Sequence, residues 1–166
     1  SGPPGGAEAA DAAGAGRASR AGARRLRLWA HIYLYMQVQG FDLVPRLIGR
    51  GGSNMRRIAE KTGAKLRIRG RGSGHLEIDG VREAPTPLMV AVTTDKGDRD
   101  GFCKAIKLTI AELRAVEQRF VAHCQQYNIE HEGPAFGIGL LPDNGRDILG
   151  DILDGVPRAP VCTRPS

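Results

Sequence analysis

Four consecutive residues, Gly49-Arg50-Gly51-Gly52, have types and spacing suited to holding phosphate. Glycines at both ends let the backbone turn tightly and remove the Cβ atoms that would keep a phosphate at a distance. Val44, Leu47 and Ile48 precede the turn, and Met55, Ile58, Ala59 and Thr62 follow at i, i+3, i+4 and i+7. This spacing predicts two short helices joined by the glycine turn, the second with Ser53 as its cap and Gly63 as its stop. A helix start carries free N–H groups and the positive end of the dipole, which attract an anion, and Arg50 adds a full charge. Glycine-rich turns are common, so the weight lies in the context: a strand comes before the helices and a basic strand after them.

The charge distribution points the same way. The 166 residues carry net +6, yet residues 41–75 hold nine Lys/Arg against Asp42 and Glu60, a local net of +7. A block of this kind attracts a polyanion at short range, and Arg suits phosphates and base edges. Other chemistries are not supported. A dinucleotide loop needs GxGxxG, but Asn54 follows the glycines by two positions; no Gly-Lys-Ser or Gly-Lys-Thr exists for a P-loop. The four histidines are scattered, and the three cysteines form no CxxC pair, so no metal site is expected. Cys103 falls beside the apolar stripe of a helix and reads as buried, and no nucleophile has a base placed by a motif. No enzyme and no cofactor are expected. The odd cysteine count fits reduced thiols inside a cell. No apolar run approaches the roughly 18 residues a membrane span needs, and residues 1–25 contain no signal-like apolar region.

The elements that must position the loop are legible from periodicity. Ile32, Leu34, Met36 and Val38 alternate with polar or aromatic residues, predicting a strand; Leu66 and Ile68 alternate with Lys65, Arg67 and Arg69, predicting a second. Residues 70–87 hold four Gly and two Pro and read as a long loop, with Gly70 to Gly74 as a mobile stretch. Leu88, Val90 and Val92 mark a third strand. Phe102, Ile106, Ile110, Leu113, Val116 and Phe120 trace one stripe of a helix over about 98–122. The order βααββα predicts an α+β domain with a three-stranded antiparallel sheet and three helices on one face. Residues 1–28, dominated by Gly, Ala and Arg, are expected to be disordered, residues 29–124 to form the domain, and residues 125–166 to be a mostly disordered acidic tail rich in Gly and Pro. Within that tail Ile148, Leu149, Ile152 and Leu153 recur at helical spacing, which suggests a partner-binding helix over 146–154.

The run Val44-Pro45-Arg46-Leu47-Ile48-Gly49-Arg50-Gly51-Gly52, then Met55 and Ile58, and the strand Thr62-Gly63-Ala64-Lys65-Leu66-Arg67-Ile68, resemble the K-homology (KH) family, type I. Phe41 to Gly52, Ile68 to Ser73 and Pro87 to Thr94 are most similar to the branch with the STAR proteins and the branchpoint-binding protein. The resemblance implies the type I KH fold and binding of single-stranded RNA or DNA, with the GxxG loop clamping about four backbone nucleotides. Residue by residue, it implies that Gly49, Arg50, Gly51 and Gly52 hold phosphates. Val44, Leu47, Ile48 and Met55 would supply apolar walls or packing beneath them, with Leu66 and Ile68 forming the other wall; simple core packing is the alternative role for Leu47 and Leu66. Arg56, Arg67, Arg69 and Arg71 would be polar contacts, and Ile58 core. Asp42 stands beside the base groove where close relatives usually place Asn, and Pro45 where the family usually has Gly. The expected function is single-stranded RNA binding in mRNA processing or regulation, inside the cell and more in the nucleus than the cytoplasm. Single-stranded DNA binding and a protein-interaction module with a vestigial groove are the alternatives.

Overall fold

The computed structural model describes residues 27–95 and 97–159. The expected N-terminal disorder therefore falls outside the described residues up to 26, as do Cys162 and the last seven positions. The chain runs β1 (Leu28–Leu34), α1 (Leu43–Ile48), a 3-10 turn (Arg50–Gly52), α2 (Ser53–Thr62), β2 (Lys65–Arg69), β3 (Met89–Thr94), α3 (Arg99–Tyr127), β4 (Phe136–Ile138), α4 (Gly145–Leu149) and a second 3-10 turn (Gly150–Leu153). The strands form one antiparallel sheet in the order β2-β3-β1-β4.

Strand alternation sorts the sheet into two faces. Leu28, Ala30, Ile32 and Leu34 of β1 are buried, and Val90 and Val92 of β3 join them. Against this face packs α3, with Phe102, Ile106, Leu113, Val116 and Phe120 of its predicted stripe buried and Ile110 half-buried beside them. Full burial of each such side chain stabilises the fold by about 1.5–3 kcal/mol. The start of α3 is capped by Asp98, whose Oδ1 accepts the Gly101 N–H at 3.0 Å. Its end runs past the expected stop at 122 and closes at Asn128, which takes the left-handed conformation (φ 54°) that Asn tolerates. β1 starts earlier than expected, at Leu28, and ends at Leu34, where its pairing with β3 and β4 runs out.

Two expectations are overturned. The sheet has four strands, not three, and the described part of the supposed tail is folded. Phe136 and Ile138 are buried and pair with Leu34 and Ile32. The following chain clasps this strand: the Ile138 N–H donates to the Pro157 carbonyl, and the Ala159 N–H to the Ile138 carbonyl, each at 2.8 Å. Three residues are too short to show alternation, so the strand leaves no periodic signal in a Gly- and Pro-rich stretch. The helix expected over 146–154 to meet a partner turns instead onto its own chain. Leu149 is buried, Ile148, Ile152 and Leu153 pack beside the core, and the Cys103 thiol donates to the Ile148 carbonyl at 3.3 Å. Cys103 itself is only half-buried, against the expectation of burial. None of the helices among the described residues is long and apolar enough to cross a membrane.

Candidate nucleic-acid interface

The glycine loop is built by three left-handed residues. Gly49 (φ 81°), Gly51 (φ 61°) and Gly52 (φ 78°) all lie where L side chains are strained, and at Gly51 open space surrounds the position. At Gly51 glycine is thus favoured by backbone geometry, not by crowding. The Gly52 N–H closes the turn on the Gly49 carbonyl at 3.0 Å, and the Asn54 side-chain amide donates back to the Leu47 carbonyl at 3.2 Å. Contrary to expectation Ser53 does not cap α2; Gly52 holds the cap position, without a side-chain hydrogen bond. The orphan donors at this helix start therefore have no side-chain cap. Arg50 is exposed at the tip. Arg56 folds back so that its guanidinium donates to the Gly51 carbonyl, placing its charge on the loop.

Beside the loop lies an open groove of about 410 Å³. Ile48 and Met55 form one wall, Leu66, Arg67 and Ile68 the other, and Ser73, Gly74 and His75 close the side. Five of the expected residues are thus brought together around one cavity. Leu47 is not among them: it is fully buried beneath α1, because the helix turn that sends Ile48 toward the groove sends Leu47 into the core. Val44 is half-buried and packs beside the core. Ile58 is fully buried, in the core role expected of it.

Strand geometry separates the arginines. Successive side chains of β2 point to opposite faces, so Leu66 and Ile68 face the helices while Lys65, Arg67 and Arg69 face away. Arg67 sits at the edge and lines cavities on both sides, whereas Arg69 lines only the far one and pairs with Glu77 at 2.8 Å. Arg71 is exposed beyond the strand and does not line the groove, its carbonyl accepting from the Gln37 amide at 3.3 Å. Asp42 stands before α1, away from the groove lining, with its carboxylate 2.9 Å from the Arg46 guanidinium. Its own backbone N–H, and then Arg46, hold that carboxyl below its ordinary range.

The Ser73–His75 wall has no periodic signal in the sequence, where 70–87 reads as a long loop. The loop is a small hairpin, with Leu76 bridged to Glu83 and the Glu77 N–H donating to the Arg82 carbonyl at 2.8 Å. Glu83 pins it. Its carboxylate accepts the Gly74 N–H at 2.6 Å, the Gly72 N–H at 3.2 Å and the Ser73 hydroxyl at 3.2 Å. These donors, the Gly74 amide foremost, hold the Glu83 carboxyl below its ordinary value. A carboxylate facing alternate glycines across a loop is a signal, but only once the loop is known to fold back.

Residues 37–111 match the family model described as KHDC4/BBP-like, KH-domain type I. This segment is similar to type I KH domains. KH domains are nucleic-acid-binding modules that use a GxxG loop as a backbone clamp. Over 43 residues the chain is 54% identical to the Tudor and KH domain-containing protein homolog of Drosophila melanogaster, a stretch that makes up 25% of this chain and 8% of that protein. The matched KH segment contains the loop and both groove walls. β1, the second half of α3 and the β4–α4 region lie outside it and complete the sheet and core that support them.

Proposed function

We propose that this chain binds single-stranded RNA, holding the phosphates of about four nucleotides on the Gly49–Gly52 loop and their bases in the adjoining groove. The reading rests above all on continuity. Ile48, Met55 and Leu66 line one open trough, and Ile48 leads directly into the Gly49–Gly52 turn with its uncapped helix start and exposed Arg50. Phosphate and base therefore find their respective chemistries side by side. On the branch matched, we further assign the binding to mRNA processing or regulation in the nucleus.

A clamp of this size neutralises few phosphates. Affinity should be on the order of micromolar, and log affinity should fall against log salt with a slope of roughly −2 to −3. The decisive test is the double variant Arg50→Asp, Gly51→Asp. It places carboxylates where phosphates lie, on exposed residues outside the core, and Asp tolerates the left-handed conformation better than most residues. Filter binding to RNA and DNA homopolymers should lose RNA retention while the melting curve moves little. A folded double variant that still retains RNA would overturn the loop assignment, and equal retention of DNA would favour the DNA reading.

A further inference from the structure

The face of the sheet turned away from the helices carries a second concavity, about 590 Å³, that the groove reading does not use. Its construction is asymmetric. The small side chains of Ala91 and Thr93 on β3 line its middle. The strand register places Trp29 and Lys65 on either side of Thr93, and His31 and Arg67 on either side of Ala91. One flank is thus aromatic, with the Trp29 and His31 rings 5.3 Å apart, and the other flank is a row of cations. Arg69 is neutralised by Glu77, but neither Lys65 nor Arg67 has an ion-pair partner among the described residues. The Nδ1 atom of His31 is buried without a hydrogen-bond partner. Burial, and then the Arg69 charge, lower the His31 pKa, so its ring stays neutral at pH 7 and is suited to stacking. Above the trough Leu76 and the fully exposed Ile78 project from the hairpin.

The two concavities are neighbours. Arg67 and His75 line both, forming a saddle over the free edge of β2. We propose that a single strand held in the groove continues over this saddle, with phosphates on Lys65 and Arg67 and a base against Trp29 and His31. A cationic rail beside an aromatic platform is the chemistry that single-stranded nucleic acids select, since phosphates need charge and every base offers a π face. An acidic peptide would use the cations and leave the aromatic flank idle. The proposal rests on the groove binding RNA, and it extends the contact beyond the roughly four nucleotides of the clamp.

Trp29 is the chain's single tryptophan, so its fluorescence reports this face alone. Full-length protein is titrated with random-sequence RNA of about four nucleotides, the length of a clamp, and RNA about three times longer. The longer RNA should bind at least tenfold tighter and quench Trp29, while the short one leaves the emission unchanged. The variant Lys65→Gln changes an exposed residue outside the groove. It should keep short-RNA affinity, lose most of the length advantage, and flatten the salt slope by about 0.7 per phosphate contact removed. Tight binding of the long RNA with unmoved Trp29 emission, or an unaltered length advantage in the variant, would refute the second surface. Equal quenching by polyglutamate would also refute it, marking a general polyanion face. The Arg50→Asp, Gly51→Asp variant separates the two readings. If it binds short RNA normally the groove reading fails, whereas Trp29 quenching by long RNA judges the open face independently.

Discussion

Leu47 and Leu66 are both candidates for groove wall or core packing, and the structure divides them: Leu47 is wholly buried on the inner side of α1, and Leu66 is half-exposed on the groove wall. Their alanine variants should therefore fail differently. Leu47→Ala removes a buried side chain from the packed core, where such truncations cost about 2–5 kcal/mol through lost transfer energy and a residual cavity. Taking about 3 kcal/mol, and about 3–5 °C per kcal/mol for a folded unit of this size, the melting temperature should drop by roughly 10–15 °C. Leu66→Ala leaves no closed cavity, since its site already opens to solvent. It should cost about 1 kcal/mol of stability, or about 3–5 °C. In binding the order reverses. On the proposed function Leu66 would present apolar surface to a base, and losing about 1 kcal/mol there should raise Kd about fivefold. Leu47→Ala should leave Kd unchanged at a temperature where both variants are folded. Thermal melts by circular dichroism and fluorescence anisotropy with a labelled RNA measure both quantities. A Leu47→Ala protein that melts within a few degrees of the parent yet has lost RNA would show that the side chain works in the groove, and the packing argument would fall.

Three further outcomes are expected. Asp42→Asn should not change the preference between A-rich and C-rich oligonucleotides, because the carboxylate is paired with Arg46 outside the groove; a shift of selectivity toward adenine in competition binding would return Asp42 to the base site. Glu83→Ala should abolish the slowed hydrogen exchange of the Gly72 and Gly74 amides without unfolding the sheet. In the parent the same contact, whose carboxyl pKa is depressed, is fully present above the ordinary value of 4.5 and lost only as pH falls through the lower folded value; protection that vanished at neutral pH would contradict it. Gly139→Ala would drive a methyl group into the Tyr33 ring, forcing β1 and the chain after β4 apart at a cost of about 1–3 kcal/mol, and an unchanged melting temperature would mean that this contact is absent.

What the sequence reveals depends on how many periods each element displays. The stripe of α3 repeats over many turns and β1 alternates through several residues, so both are visible, although their ends differ from those expected. The glycine loop is legible for a different reason: a left-handed backbone at three positions leaves few alternatives to Gly. β4 has one residue between two apolar ones and is stabilised by Pro157 and Ala159, some twenty positions away, which no local pattern can show. Leu47 illustrates the limit within the site. Adjacent residues on a helix diverge by about 100°, so an apolar pair at its end must split between core and surface, and only packing decides which goes where. Arg69 was open to better reading, since its parity with Lys65 and against Leu66 places it on the far face of any strand.

The short β4 strand also governs how the domain can be isolated. It covers one side of β1, donating and accepting along the row from Ile32 to Leu34. A fragment cut at residue 124, where the helical stripe ends, would strip this cover and uncap the core beneath Leu149. β1 would then be an edge strand with a bare ladder of N–H and C=O groups and a wholly apolar inner face, the type of edge that recruits another chain. Such a fragment should self-associate through β1, whereas one extending through Ala159 keeps the edge closed. The residues beyond the family match therefore act as the guard of the sheet, keeping the molecule free to meet a nucleic acid strand before it meets its own copies.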